Sequence, residues 1–99
     1  MKASVLVEGN VQGVGLRSYV IRLAQEAGLK GLVRNTSNNR VEIFLDGERS
    51  AIEQLLYKLR QRRSSSFIGM RVEKIILAYE GETTFTPAWK KYEGFEVDY

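Results

Sequence analysis

The chain has 99 residues, of which 43% are hydrophobic and 27% charged, a balance that suits one buried core and predicts a single domain over residues 1–99. It contains no cysteine and no histidine, which excludes disulfide frameworks, thiolate nucleophiles, imidazole-based triads and zinc sites built on either side chain. Fifteen basic against twelve acidic residues leave a net charge of +3, a bias that suits an anionic ligand but falls short of the dense basic face of a dedicated nucleic-acid binder.

Ser4 to Glu8 reads as a strand, with Val5, Leu6 and Val7 in succession fitting the middle of a sheet and Gly9 ending the run. From Leu16 the apolar period changes. Leu16, Val20, Leu23, Ala24 and Ala27 recur at helical spacing, and Gly28 stands where a C-terminal cap belongs. Gly31 to Asn35 and Arg40 to Asp46 read as the strands of a hairpin turning through Thr36 to Asn39, where Asn38 or Asn39 can supply a positive φ. Ile52, Leu55, Leu56 and Leu59 predict a second amphipathic helix that ends near Arg60, followed by a basic and then polar connector holding Arg62, Arg63 and Ser64 to Ser66. Met70 to Tyr79 is a long β-prone segment, and Phe95 to Tyr99 alternates as a final strand. Between them Glu80 to Glu93, with the only Trp and the only Pro, reads as a long loop or ragged hairpin.

This order is β-α-β-β-α-β with an extra C-terminal strand. It predicts an α+β fold, a ferredoxin-like sandwich with two helices on one face of an antiparallel sheet. The strand from Gly31 is expected at the sheet edge, its end facing the glycine-rich turn after the first strand. No apolar run approaches the roughly 20 residues that a membrane helix needs. The N-terminus, with one basic residue before a very short apolar core, does not read as a secretory signal. A cytoplasmic protein with no membrane partner is the expectation.

Chemistry concentrates between the first strand and the first helix, where Gly9, Gly13 and Gly15 fall within seven residues. Such a turn can curl so that successive backbone N–H groups point inward, and the helix N-terminus adds unpaired donors and a positive dipole end. A phosphate group fits that cradle. The spacing is neither that of a Walker A motif nor that of a dinucleotide fingerprint. Arg17 would enter the first turn of the helix, where its planar fork can hold two phosphate oxygens. As a glycine-rich turn before a helix and nothing more, the pattern fits a tight connection with a solvated Arg equally well. Asn35, taken alone, is a turn former at a strand end.

Gly9-x-Val11-Gln12-Gly13-Val14-x-Leu16-Arg17 resembles the acylphosphatase signature G-x-V-Q-G-V-x-F-R, and Gly31-x-Val33-x-Asn35 followed by a turn and Val41-Glu42 resembles that family's second motif. The terminal Phe95-x-Val97-x-Tyr99 is similar too, so the resemblance covers essentially the whole chain. It departs from the family's pattern at Leu16, where Phe or Tyr is usual, and at Asn39, where the hairpin usually has Gly. The resemblance implies the ferredoxin-like fold and hydrolysis of a carboxyl-phosphate mixed anhydride, with a small acyl phosphate as substrate and inorganic phosphate as product. It implies a phosphate-binding loop of Gln12, Gly13, Val14, Gly15, Leu16 and Arg17, with Arg17 and Asn35 as catalytic residues, Asn35 positioning the attacking water. A mixed anhydride has a good leaving group, so positioning and charge stabilisation can serve without metal, other cofactor or covalent intermediate. A monomer is expected. The alternative is a non-catalytic phosphate-binding or RNA-contacting module on the same fold. Phe85, Trp89 and Tyr92 lie beside Lys90 and Lys91, but the aromatic-rich strand of an RNA-recognition domain is absent, so nucleic acid is not an expected partner.

Overall fold

Two stretches of helical apolar period and five of strand character assemble into two helices on one face of a five-stranded sheet. In the computed structural model, which describes residues 1–10, 15–36, 40–64 and 71–98, the elements in chain order are β1 (Lys2–Asn10), α1 (Leu16–Glu26), β2 (Lys30–Thr36), β3 (Arg40–Asp46), α2 (Arg49–Ser64), β4 (Arg71–Tyr79) and β5 (Phe95–Asp98). The sheet order is β4-β1-β3-β2-β5. β1 pairs antiparallel with both β3 and β4, and β2 pairs antiparallel with β3. The fold is the expected ferredoxin-like sandwich.

Three expectations change. β5 joins β2 in parallel, Gly31↔Phe95 to Arg34↔Asp98, so the sheet is mixed and β2 lies inside it, not at its edge. Local pattern does not encode which neighbour a strand finds, and the long connection from β4 allows either direction. Gly9 does not end β1. The strand continues to Asn10 through a register shift against β4 between Glu8 and Gly9, where Gly9 holds φ at +137° and absorbs the bulge. α2 runs on past Arg60 to Ser64, since the last apolar position of a helical stripe does not mark where the backbone hydrogen bonding stops. The hairpin turn at 37–39, the residues 65–70 and Tyr99 lie outside the described residues.

The core facing the helices forms where Val5 and Val7 of β1, Val33 of β2 and Val41, Ile43 and Leu45 of β3 meet Leu16, Val20, Leu23 and Ala24 of α1 and Ile52, Leu55, Leu56 and Leu59 of α2. Every one of these is at most 6% exposed, and each fully buried aliphatic side chain favours the fold by roughly 1.5–3 kcal/mol. α1 lies over β2 and β5, and α2 over β4. α1 ends in a Schellman arrangement: Gly28 takes φ +71°, its N–H donates to the Gln25 carbonyl at 3.2 Å, and the Leu29 N–H donates to the Ala24 carbonyl at 2.9 Å.

The other face of the sheet is also covered. β4 and β5 lie at opposite edges, so the chain from Glu80 to Gly94 must cross the sheet, and it does so on the face away from the helices. Phe44, 2% exposed, meets the ring of Phe85 at 6.1 Å and that of Tyr92 at 5.4 Å. The Thr86 N–H donates to Ser4 Oγ at 3.0 Å, and the Tyr92 hydroxyl donates to Asp46 at 2.6 Å. Burial, with that bond second, pushes the Tyr92 hydroxyl up to about 12. The aromatic rings of this segment are therefore occupied by packing on the sheet.

Candidate active site

β1 and β2 both run antiparallel to β3, so their C-terminal ends point the same way. The end of β1 leads toward the start of α1, and α1 packs back over β2. One end of the helix-bearing face therefore gathers the α1 N-terminus and the last residues of β2.

α1 opens on Gly15, in a left-handed conformation at φ +86° and ψ +9° with no side-chain cap. A Cβ at Gly15 would meet nothing within 4 Å, so glycine is favoured there by its backbone angle and not by crowding. No acidic side chain stands in the first turn of the helix, so the helix itself supplies no counter-charge to its positive end. Leu16, 1% exposed, sinks into the core and anchors the start of α1 there. Arg17 follows it, partly buried and interacting with the surrounding chain. Gln12, Gly13 and Val14 of the expected loop lie outside the described residues.

Asn35 sits at the same end. It lies within β2, paired with Val41, and the strand continues to Thr36, so Asn35 is not a turn residue. Strand alternation places it on the helix-bearing face with Val33. Its Oδ1 is buried and has no hydrogen-bond partner among the described residues. An acceptor left in that state costs on the order of 1–3 kcal/mol, a cost that a water or ligand bound there would remove. Across this end, Arg40 pairs with Glu8 at 3.1 Å and ties β3 to β1.

Two features escaped the sequence reading. Gly31 is needed for close approach, since a Cβ there would fall 1.8 Å from the Phe44 carbonyl oxygen. Arg34, read as an ordinary strand residue, bonds Glu42 and stacks on Trp89; the signal available was the Arg34↔Glu42 pairing implied once the hairpin register is set. A cavity of about 350 Å³, with Leu6, Ile76 and Trp89 in its lining, lies on the opposite face of the sheet and is separate from this end. Among the described residues no three His, Cys, Asp or Glu side chains gather as a metal site would require, and no helix is long and apolar enough to cross a membrane.

The acylphosphatase family model matches residues 3–96. The acylphosphatase of Deinococcus radiodurans is 37% identical over 83 residues, covering 84% of this chain and 91% of that protein. That of Archaeoglobus fulgidus is 33% identical over 96 residues, covering 96% and 94%. The crystal structure of acylphosphatase from Bacillus subtilis superposes with a TM-score of 0.77 at 26% identity, covering 99% of this chain and 98% of that one. The match runs through the strands, both helices and the β5 edge alike, and on that ground the chain belongs to the acylphosphatase family.

Proposed function

We propose that this chain hydrolyses acyl phosphates to a carboxylate and inorganic phosphate, with Arg17 and the amides from Gln12 to Leu16 holding the phosphoryl group and Asn35 holding the water. The observation that carries this reading is the buried Asn35 Oδ1, without a hydrogen-bond partner among the described residues, at the same end of the fold as the N-terminus of α1, which has no side-chain cap among them. The two halves of the site divide the work. Arg17 offers a permanent charge and a fork that matches two phosphoryl oxygens, while backbone N–H groups and the helix dipole meet the remaining negative charge. Asn35 Oδ1 accepts a hydrogen of the water, which turns a lone pair of that water toward phosphorus.

Attack then forms the new P–O bond as the bond to the acyl oxygen breaks, and the carboxylate departs with the electron pair. It leaves as a stable anion, so it needs no general acid, and the proton of the water passes to phosphate oxygen or solvent. A chain without histidine or cysteine has the groups this requires, because the work is positioning and charge stabilisation. The monomeric state and cytoplasmic address expected from the sequence remain part of the proposal, checked by light scattering and by fractionation. The function itself is tested with benzoyl phosphate, with and without a chelator. Release of inorganic phosphate, with kcat flat between about pH 6 and 8 as expected of a chain without histidine or cysteine, supports the reading. Binding of phosphate without turnover would instead mark a non-catalytic phosphate-binding module.

A further inference from the structure

Arg34 is the chain neighbour of Asn35 and, by strand alternation, leaves the opposite face of the sheet. There its Nε donates at 3.2 Å and its Nη2 at 2.9 Å to one oxygen of Glu42, its register partner on β3. The guanidinium carbon lies 4.1 Å from the centroid of the Trp89 ring. The indole N–H of Trp89 donates to Asp98 at 2.9 Å, and Asp98 is the register partner of Arg34 on β5. Lys90 approaches the other oxygen of Asp98 at 3.6 Å. Arg34 thus ties β3 to the crossing segment, and Trp89 carries the link on to β5, at the level of Asn35.

β2 pairs with β5 through Arg34↔Asp98, the last described residue of β5, and with β3 through Asn35↔Val41 to Thr36↔Arg40. Asn35 is held laterally by β3 through that pairing. Its Oδ1 has no hydrogen-bond partner among the described residues, and the path of the β2 backbone sets the direction in which the side chain leaves the sheet. The Arg34–Glu42 pair is 33% and 27% exposed, and pairs so accessible add little to stability. Orientation of the adjoining backbone is the larger consequence of a clamp with this many fixed contacts.

We propose that Arg34, clamped between Glu42 and Trp89, is a positioning residue for hydrolysis: it fixes the end of β2 so that the Asn35 amide holds the attacking water in line. The inference rests on the reading of Asn35 as the water-holding residue. Lysine is no substitute for Arg34, since it keeps the charge and loses both the planar stack and the paired donors.

A double-mutant cycle on benzoyl phosphate tests it, reading kcat and inhibition by inorganic phosphate for Arg34→Gln, Trp89→Ala, Trp89→Phe, Asn35→Ala and the Arg34→Gln/Asn35→Ala pair. Arg34→Gln and Trp89→Ala are each expected to lower kcat roughly tenfold, as a small misplacement of a reacting group does, with phosphate inhibition within about twofold of wild type. Trp89→Phe keeps an aromatic face and recovers most of the loss. In the Asn35→Ala background Arg34→Gln adds less than about twofold, because the amide it aims is gone. If Arg34→Gln fails to fold, the Trp89 pair decides by the same kcat criterion. The inference is overturned if Asn35→Ala is impaired while Arg34→Gln and Trp89→Ala keep wild-type kcat, or if the effects of Arg34 and Asn35 multiply. An unimpaired Asn35→Ala overturns the parent reading, and the inference with it.

Discussion

Alanine at Gly31 probes the tightest approach in the sheet. Gly31 holds φ at +147°, a conformation that L side chains rarely adopt, and a Cβ there would lie 1.8 Å from the Phe44 carbonyl oxygen and 2.8 Å from its carbon. Both are backbone atoms of β3, so no change of rotamer relieves the overlap and β2 must move away from β3. That opens the ladder at Gly31↔Leu45 and strains the bond from the Gly31 N–H to the Gly94 carbonyl, now 3.0 Å. The backbone conformation costs on the order of 1–3 kcal/mol, and a buried backbone group left unpaired about 1–3 kcal/mol more. The expected loss is roughly 3–5 kcal/mol, against a total of about 5–15 kcal/mol for a domain. For a chain of this size that lowers Tm by at least about 12 °C. Urea unfolding followed by far-UV circular dichroism and by Trp89 fluorescence measures it. A stability within about 0.5 kcal/mol of wild type, as for an inert surface change, would refute the reasoning by showing that the strands part freely.

Arg17→Lys keeps a positive charge and loses the fork, so it should lose nearly all turnover and most of the affinity for inorganic phosphate, read by inhibition kinetics; wild-type values in both would displace Arg17 from the site. Tyr92, pushed up to about 12 in the fold, ionises near about 10 once unfolded. Its folded pKa is the higher one, so its contribution to stability is complete below the unfolded value and is lost as pH rises through the folded one. Stability in urea should therefore fall between about pH 10 and 12, and Tyr92→Phe should flatten that decline; an equally steep decline in the variant would assign it to other groups.

Both helices were legible from apolar spacing because burial on one face enforces it: Leu16, Val20, Leu23 and Ala24 in α1, and Ile52, Leu55, Leu56 and Leu59 in α2, are buried together in the core. β3 matches its expected span, Arg40 to Asp46. β1 is longer than Ser4 to Glu8 because its ends are set by pairing with β3 and β4, and partners are not written in a strand's own pattern. The parallel seat of β5 and the cover that Phe85, Trp89 and Tyr92 give to the sheet arise from a connection without periodicity, and sequence offers no handle on either. For the site, the shared end of the α1 N-terminus and Asn35 follows from the order of elements. Arg34 was hidden, since an arginine in a strand reads as solvent-facing until Trp89, 55 positions away in the chain by their numbers, is known to lie on it.

Binding and chemistry separate most directly in Asn35→Ala, with inhibition by inorganic phosphate and kcat on benzoyl phosphate measured on the same preparation. If Arg17 and the loop amides hold phosphate while Asn35 holds only the water, phosphate inhibition stays within about twofold of wild type and kcat falls by on the order of 10² to 10³. An unchanged kcat would contradict this division of roles, and so would a loss of phosphate affinity in a variant that keeps its native circular dichroism.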